Sequence, residues 1–302
     1  MKGTIVKGIA GFYYVRHEGE VYQCKARGLF KKDDIKPMVG DFVEFEHGAG
    51  EDDDGWITEI YTRRNSFIRP PISNVDCFVI VMAAANPKPN LAVMDKFLVM
   101  AEKSNTDIIV CINKTDLAAK GRKALELENL KNVYGQVYPV ITLSGTKGEG
   151  IDELKEKLAE GAASSDGTRH IALAGPSGVG KSTLLNCLIP HAEAETGDIS
   201  HKSKRGKHTT RHSELFDLGD GTMIFDTPGF TSFDILEADE EELQHYYPEI
   251  APFAVQCRYD NCRHIKEPDC AVRDAVEAGR ISQQRYESYV TQLNEIREKN
   301  KY

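Results

Sequence analysis

The sequence predicts a multidomain α/β chain with an all-β N-terminal unit, a doubly wound parallel-sheet domain and a mostly helical C-terminal unit. Three observations carry this prediction. Five short strand-like runs crowd residues 1–65. After residue 75, near-continuous apolar runs alternate with stretches of helical spacing. Beyond residue 235, polar helical stretches surround a compact set of Cys and His.

A chain of 302 residues has room for two or three domains, and 40% hydrophobic with 28% charged residues is ordinary for a globular protein. The longest apolar run, Asp76 to Ala85, is strand-sized, so no membrane association is expected. The N-terminus lacks the sustained apolar core of a signal peptide, and a cytoplasmic protein is the expectation. Seven Cys, an odd number, argue against a disulfide framework. A net charge of −9 means that nucleic-acid binding would have to rest on local patches.

In the first unit, Gly3–Ala10, Phe12–His17 and Glu20–Ala26 read as strands separated by Gly11 and the His17-Glu18-Gly19 turn. Asp41–Glu46 alternates polar and apolar residues, and Gly55–Tyr61 closes the set. Five strands in this length suggest a small closed barrel of the oligonucleotide-binding type; a different barrel without a binding role is the alternative. Lys31, Lys32, Lys36, Arg63 and Arg64, near Phe30 and Tyr61, are the only hint of a nucleic-acid face. Arg63 to Asn74 reads as a Pro-containing connector, giving domains at 1–65, 66–234 and 235–302.

The middle domain starts with a buried strand, Asp76–Met82. A helix over Asn90–Ser104 follows, then a strand over Asp107–Ile112, a helix over Lys120–Tyr134, a strand over Val137–Thr142 and a helix over Ile151–Leu158. After the soft loop Glu160–Thr168 come the strand Arg169–Ala174 and a helix over Ser182–Leu188. Two further strands, Ser213–Leu218 and Gly221–Phe225, meet at Gly219-Asp220.

Between strand and helix lies Gly175-Pro176-Ser177-Gly178-Val179-Gly180-Lys181-Ser182, followed by Thr183, which fits G-x-x-x-x-G-K-[ST] in its required context. The glycines let backbone N–H groups turn around phosphate oxygens, Lys181 reaches the β- and γ-phosphates, and Ser182 ligates Mg²⁺. Asn113-Lys114-Thr115-Asp116 follows a strand at its carboxyl end, where such sheets bind ligands. Asp116 can accept both the ring and exocyclic N–H of guanine, which selects GTP over ATP. Asn113 holds the loop and the base edge, and the Lys114 stem covers the base face. Ser144-Gly145 offers backbone N–H to the guanine carbonyl. Asp226-Thr-Pro-Gly229 ends a strand, so Asp226 can hold Mg²⁺ through water and Gly229 can sense the γ-phosphate. Thr209 or Thr210, in a loop without periodicity, supplies a further Mg²⁺ ligand, and the sequence does not choose between them.

The base-reading loop precedes the phosphate loop, the reverse of the ordinary order. This is a circular permutation, and the segment after Asp226 leads directly into the C-terminal unit. There Cys257, Cys262, His264 and Cys270 are spaced C-x4-C-x-H-x5-C. Three thiolates and one imidazole make a closed tetrahedral set suited to structural Zn²⁺, against the alternatives of unrelated buried Cys or a disulfide. Cys24, Cys77, Cys111 and Cys187 stand singly in strand- or helix-like runs and are expected in the core. Asp239–Tyr246, Cys270–Ala278 and Ile281–Asn300 read as helices, and the Tyr286-x-x-Tyr289 pair as packing.

The combination of an N-terminal barrel, a permuted order NKxD…GPSGVGKS…GKHTTR…DTPG and this Cys/His unit resembles the bacterial small ribosomal subunit biogenesis GTPase family, known as RsgA, YjeQ or YloQ. The resemblance covers essentially the whole chain. It implies GTP hydrolysis to GDP stimulated by the 30S subunit, a role in late 30S maturation, and contact of barrel and zinc unit with 16S rRNA; a monomer is expected. Phe230 stands where many GTPases carry a water-orienting Gln, and Phe cannot hydrogen-bond water. His208 is the candidate to position or polarise the attacking water, and the resemblance supports it. The run from His201 to His212 is basic without an acid, as an RNA-contacting switch would be, against the alternative of a solvated face. A P-loop kinase and an RNA-binding scaffold with structural GTP are the competing classes.

Overall fold

The structure is a computed structural model that describes residues 1–27, 35–47, 54–161, 167–189, 213–219, 221–226 and 238–300. The chain runs through β1 (Lys2–Ile9), β2 (Phe12–His17), β3 (Glu20–Ala26), β4 (Phe42–Glu46) and β5 (Gly55–Ile60). A short hairpin follows, β6 (Ser66–Ile68) and β7 (Pro71–Ser73). Next come β8 (Cys77–Ala83), α1 (Leu91–Lys103), β9 (Asp107–Asn113), α2 (Arg122–Gly135), β10 (Val140–Thr142) and α3 (Ile151–Ala159). Then follow β11 (Arg169–Ala174), α4 (Lys181–Leu188), β12 (Glu214–Gly219) and β13 (Thr222–Asp226). Three C-terminal helices close the series: α5 (Ala251–Ala254), α6 (Ala271–Glu277) and α7 (Gln283–Lys299).

Two compact units result. One comprises Met1–Cys77, Ile151–Leu173 and Ser182–Phe230, the other Phe78–Gly150, Ala174–Lys181 and Thr231–Tyr302. In the first, β1 pairs with β2, β2 with β3, β3 with β5 in parallel, β5 with β4, and β4 with β1. The ring is closed, so no barrel strand leaves a free edge on that path. Its interior is filled by Ile5, Val15, Cys24, Val43, Phe45 and Ile57, all fully buried. The five short strands expected from the sequence therefore form a five-stranded barrel. Beyond the ring, β1 also pairs with β12, β12 with β13, and β13 in parallel with β11.

In the second unit β10 lies parallel to β9, and β9 neighbours β8. Every residue of β8 is buried, as a strand covered on both faces requires. Helix α1 starts where Asn90 accepts a hydrogen bond from the Val93 N–H at 3.2 Å, an N-cap that fixes its first turn.

Three segments differ from expectation. The connector Arg63–Asn74 is the β6–β7 hairpin, with Phe67 opposite Ile72 and Ile72 fully buried. Its end is tied down because Ser73 Oγ donates to Asp41 at 2.6 Å. The strand expected over Val137–Thr142 begins only at Val140, since the N–H groups of Val137 and Tyr138 close α2 on the Tyr134 carbonyl and Pro139 has none to give. The helix expected over Asp239–Tyr246 is a single 3₁₀ turn, Leu243–Tyr246. Pro248 drives the preceding Tyr247 to extended backbone (φ −121°, ψ 91°) and stops it. Among the described residues no helix is long and apolar enough to cross a membrane.

Candidate functional site

The second unit brings the phosphate-loop motif beside Asn113-Lys-Thr-Asp116 and Ser144-Gly145. Two glycines make this approach possible. Gly175 has φ +142°, and a Cβ there would lie 2.1 Å from the Val81 carbonyl oxygen of β8. Gly180 has φ +100°, and a Cβ there would lie 2.4 Å from Asn113 Nδ2. Any side chain would push the loop off β8 or off Asn113.

Asn113 is the knot of the arrangement. It is 2% exposed. Its Nδ2 donates to the Val179 carbonyl at 2.9 Å, and its Oδ1 accepts from Lys114 N at 2.7 Å and Gly145 N at 3.1 Å. One buried amide thus joins three loops, with both of its polar atoms satisfied. Lys114 has left-handed backbone (φ +62°), held by its Nζ donating to the carbonyls of Asn86 (2.5 Å) and Gly178 (2.7 Å). Asp116 Oδ1 accepts from Ser144 Oγ at 2.7 Å, which orients the carboxylate. The Ser144 N–H donates to Glu149 O and the Gly145 N–H to Asn113, so both amides act within the protein to hold the loop.

Lys181 Nζ donates to the carbonyls of Gly175 (2.6 Å) and Pro176 (2.9 Å), so the ammonium is curled into its own loop. Burial lowers its pKa to about 8. Ser177 and Val179 line a cavity of about 260 Å³ with Pro87, Lys88 and Asn90.

In the first unit, Ser182 and Thr183 open α4 and are exposed. Asp226 ends β13, one residue beyond Phe225, which stands opposite Ala172 in the parallel ladder with β11. Asp226 therefore lies at the carboxyl end of the β11–β13 pair. Hydroxyl and carboxylate oxygens are donors that fit a hard cation such as Mg²⁺. His208, Thr209, Thr210, Gly229 and Phe230 lie outside the described residues, as do the 201–212 basic run and Phe30, Lys31 and Lys32 of the barrel.

Two of the basic residues read as a nucleic-acid face make ion pairs within the fold. Arg63 makes a two-pronged contact with buried Asp41 (2.7 and 2.8 Å), and Arg64 pairs with Asp76 at 2.5 Å. Lys2 Nζ lies over the Tyr61 ring, 5.3 Å from its centre.

The ligand atoms of Cys257, Cys262, His264 and Cys270 all lie within 4.8 Å of one another. Cys257 Sγ is 3.9 Å from Cys270 Sγ, and His264 Nδ1 is 3.5 and 3.4 Å from these two sulfurs. A tetrahedral zinc with ordinary bond lengths needs edges of about 3.8 Å between sulfurs and about 3.6 Å from sulfur to nitrogen. The set fits, and the separation of 3.9 Å is no disulfide. The far nitrogen of His264, Nε2, is 2.9 Å from Gln244 Oε1, which leaves Nδ1 to face the sulfurs. Burial pushes the His264 imidazole down to about 4 and the Cys262 thiol up to about 12. Against the upward push of burial, the backbone N–H groups of Arg263, Glu267, Lys266 and Ile265 hold the Glu267 carboxyl down to about 2. Glu267 accepts from three of them at 2.8–2.9 Å, clamping the turn that carries His264. Tyr286 and Tyr289 donate to the carbonyls of His264 (2.6 Å) and Arg263 (3.3 Å), so this pair packs and braces the turn. Cys24, Cys77 and Cys111 are fully buried, and Cys187 partly so.

Sequence reasoning missed one buried cluster. Arg285 of α7, 1% exposed, donates to Asp95 of α1 (2.5 Å) and to Glu249 (2.6 Å) and lies over the rings of Tyr247, Tyr134 and Tyr138. A charged residue in a polar helix gives no sequence signal of burial. The only available hint was an Asp at the apolar-face position 95 of α1.

Residues 60–236 match the family model described as RsgA GTPase, and residues 2–57 match that of the RsgA N-terminal domain. The chain is 42% identical over 302 residues to the small ribosomal subunit biogenesis GTPase RsgA of Alkaliphilus metalliredigens, covering 100% of this chain and 99% of that protein. It is 43% identical over 314 residues to the protein of the same description from Agathobacter rectalis, covering 100% of each. Among solved structures, YjeQ from Thermotoga maritima superposes with a TM-score of 0.81 at 34% identity over 98% of both chains. YloQ, described as a circularly permuted GTPase, gives 0.79 at 34% identity over 99% of this chain and 95% of that one.

Proposed function

The chain belongs to the RsgA GTPase family and is a GTP hydrolase, and from that premise we propose that it acts in the cytoplasm on the 30S ribosomal subunit. It assists late maturation of that subunit, and the bound subunit accelerates hydrolysis. Its curated relatives are described as small ribosomal subunit biogenesis GTPases, and that description supports the partner.

The observation that carries the nucleotide reading is the Asn113 knot, which fixes the base-reading loop against the phosphate loop. In this reading Asp116 accepts from the guanine ring and amino N–H groups, and the Lys114 stem covers the base. The loop from Gly175 to Gly180 and Lys181 hold the phosphates. Ser182, Asp226 and one of Thr209 and Thr210 hold Mg²⁺, which neutralises developing charge on the phosphates. Gly229 senses the γ-phosphate. His208 positions or polarises the attacking water in place of the Gln that Phe230 replaces. Cys257, Cys262, His264 and Cys270 hold one structural Zn²⁺, and the barrel and zinc unit contact 16S rRNA. The domains are 1–65, 66–234 and 235–302, in a monomer.

The test is GTP hydrolysis against rising 30S concentration, with 50S subunits and ATP as controls and His208→Ala alongside. Strong stimulation by 30S with GTP alone, lost in His208→Ala while GTP still binds, is the expected outcome. Absence of stimulation removes the proposed partner. Full stimulation of His208→Ala removes its catalytic role.

A further inference from the structure

Three strands of the first unit run side by side: β1 of the barrel, then β12, then β13. In their antiparallel ladders Lys7 stands opposite Glu214, and Glu214 stands opposite Asp226. Residues directly opposite on neighbouring strands project from the same face. One face of the sheet therefore carries a row of three charges, positive, negative and negative. Lys7 Nζ lies 2.9 Å from Glu214 Oε1, and the two side chains are 30% and 35% exposed. A second ion pair, Arg16 of β2 with Asp217, also ties the barrel to β12.

Two carboxylates directly opposite one another across an antiparallel pair repel. Glu214 and Asp226 are such a pair, and Lys7 of the barrel supplies a counter-charge to Glu214. We propose that Lys7 is a positioning residue for magnesium-dependent nucleotide binding: it neutralises Glu214, and so sets the field in which Asp226 meets the metal. The inference rests on the proposed place of Asp226 in the nucleotide site. It makes the barrel part of that site's charge balance rather than a separate attachment.

The physical consequence has a definite sign. Without the Lys7 ammonium, the Glu214 carboxylate stands uncompensated beside Asp226. The added negative field opposes the nucleotide's polyphosphate and favours a divalent cation. Nucleotide affinity then falls in the absence of Mg²⁺ and gains more when Mg²⁺ is added. One unit charge about 8 Å from a divalent ion, in a water-like medium, changes this dependence by about fivefold.

The experiment is a fluorescence titration of the full chain with a fluorescent GDP analogue, in EDTA and in saturating Mg²⁺. It compares the wild type with Lys7→Met, Glu214→Gln, the double variant and Asp226→Asn. The readout is the ratio of the dissociation constants without and with Mg²⁺, which requires no turnover. The expected result is a ratio raised about fivefold in Lys7→Met, lowered in Glu214→Gln, and near wild type in the double variant. Asp226→Asn is expected to collapse the ratio. A Lys7→Met ratio equal to wild type, with Asp226→Asn collapsed, overturns the inference and leaves the Asp226 reading standing. A double variant as perturbed as Lys7→Met also overturns it, because the effect would then come from barrel packing and not from charge. An unchanged ratio in Asp226→Asn removes the Asp226 reading and the inference with it.

Discussion

The loops around Asn113 and the C-terminal unit solve the same problem, fixing irregular backbone, by opposite means. The first uses a neutral amide. Asn113 makes three hydrogen bonds at 2.7–3.1 Å, so burying it leaves neither polar atom of its side chain unpaired. The second uses buried charge and four soft ligand atoms. Arg285 pairs with Asp95 and Glu249, yet Arg285 Nη2, Asp95 Oδ2 and Glu249 Oε2 have no hydrogen-bond partner among the described residues. A satisfied amide is cheap to bury. An ion cluster is costly to assemble and costlier to break, because removing one member strands the others. The contrast suits a nucleotide that comes and goes beside loops of fixed shape, and a C-terminal unit that stays on α1 throughout.

Perturbations of the two regions should separate in size. Zinc removal is the largest. Structural zinc in small domains is worth about 10–16 kcal/mol, so chelation, or Cys262→Ser, should melt the 238–300 region. Amide hydrogen exchange should then show lost protection around Tyr289 and Leu293 while β8 and β9 keep theirs. Next comes Arg285→Met, which leaves Asp95 and Glu249 buried without a counter-charge and should cost about 3–5 kcal/mol in urea unfolding. Asn113→Ala strips partners from Val179 O, Lys114 N and Gly145 N. It should cost about 1–3 kcal/mol of stability, and GTP binding by calorimetry should weaken far more than unfolding does.

The smallest effect is a proton. With its pKa lowered to about 8 by burial, Lys181 binds fewer protons in the folded chain than its ordinary value of 10.5 would allow. Its burial therefore costs stability below that window, and the cost is relieved as pH rises from 8 toward 10.5. Phosphate beside the ammonium pushes the pKa back up. GTP binding at pH 8 should then take up about half a proton, visible as a difference in binding heat between buffers of unlike ionisation enthalpy, and affinity should fall at higher pH.

What the sequence made legible follows from how each feature is written in it. Short strand-like runs bounded by turn residues, with period-two alternation in Asp41–Glu46, marked the five barrel strands, and the apolar runs marked β8, β9 and β11 almost to the residue. The glycine and NKxD spacings gave the nucleotide loops because their chemistry is local. The Cys/His set was legible for the same reason. Contacts made at long range were not. Nothing in the neighbourhood of Asp41 announces Arg63 and Ser73, and nothing near His264 announces Gln244, twenty residues earlier. Arg285 and Asp95 are 190 positions apart, and only the folded chain joins them. The β6–β7 hairpin was hidden by its prolines, which read as a linker but sit on a two-stranded edge that tolerates them.

The guanine reading falls to Asp116, set by Ser144 and the Asn113 knot. The most direct measurement is a competition titration of Asp116→Asn against GTP and xanthosine triphosphate. Replacing a double acceptor with an amide removes the partner of the guanine N–H groups and supplies a donor to the carbonyl that xanthine carries instead. The variant is expected to lose GTP and gain the xanthine nucleotide. Retention of GTP at wild-type affinity, with no gain for xanthine, would contradict it.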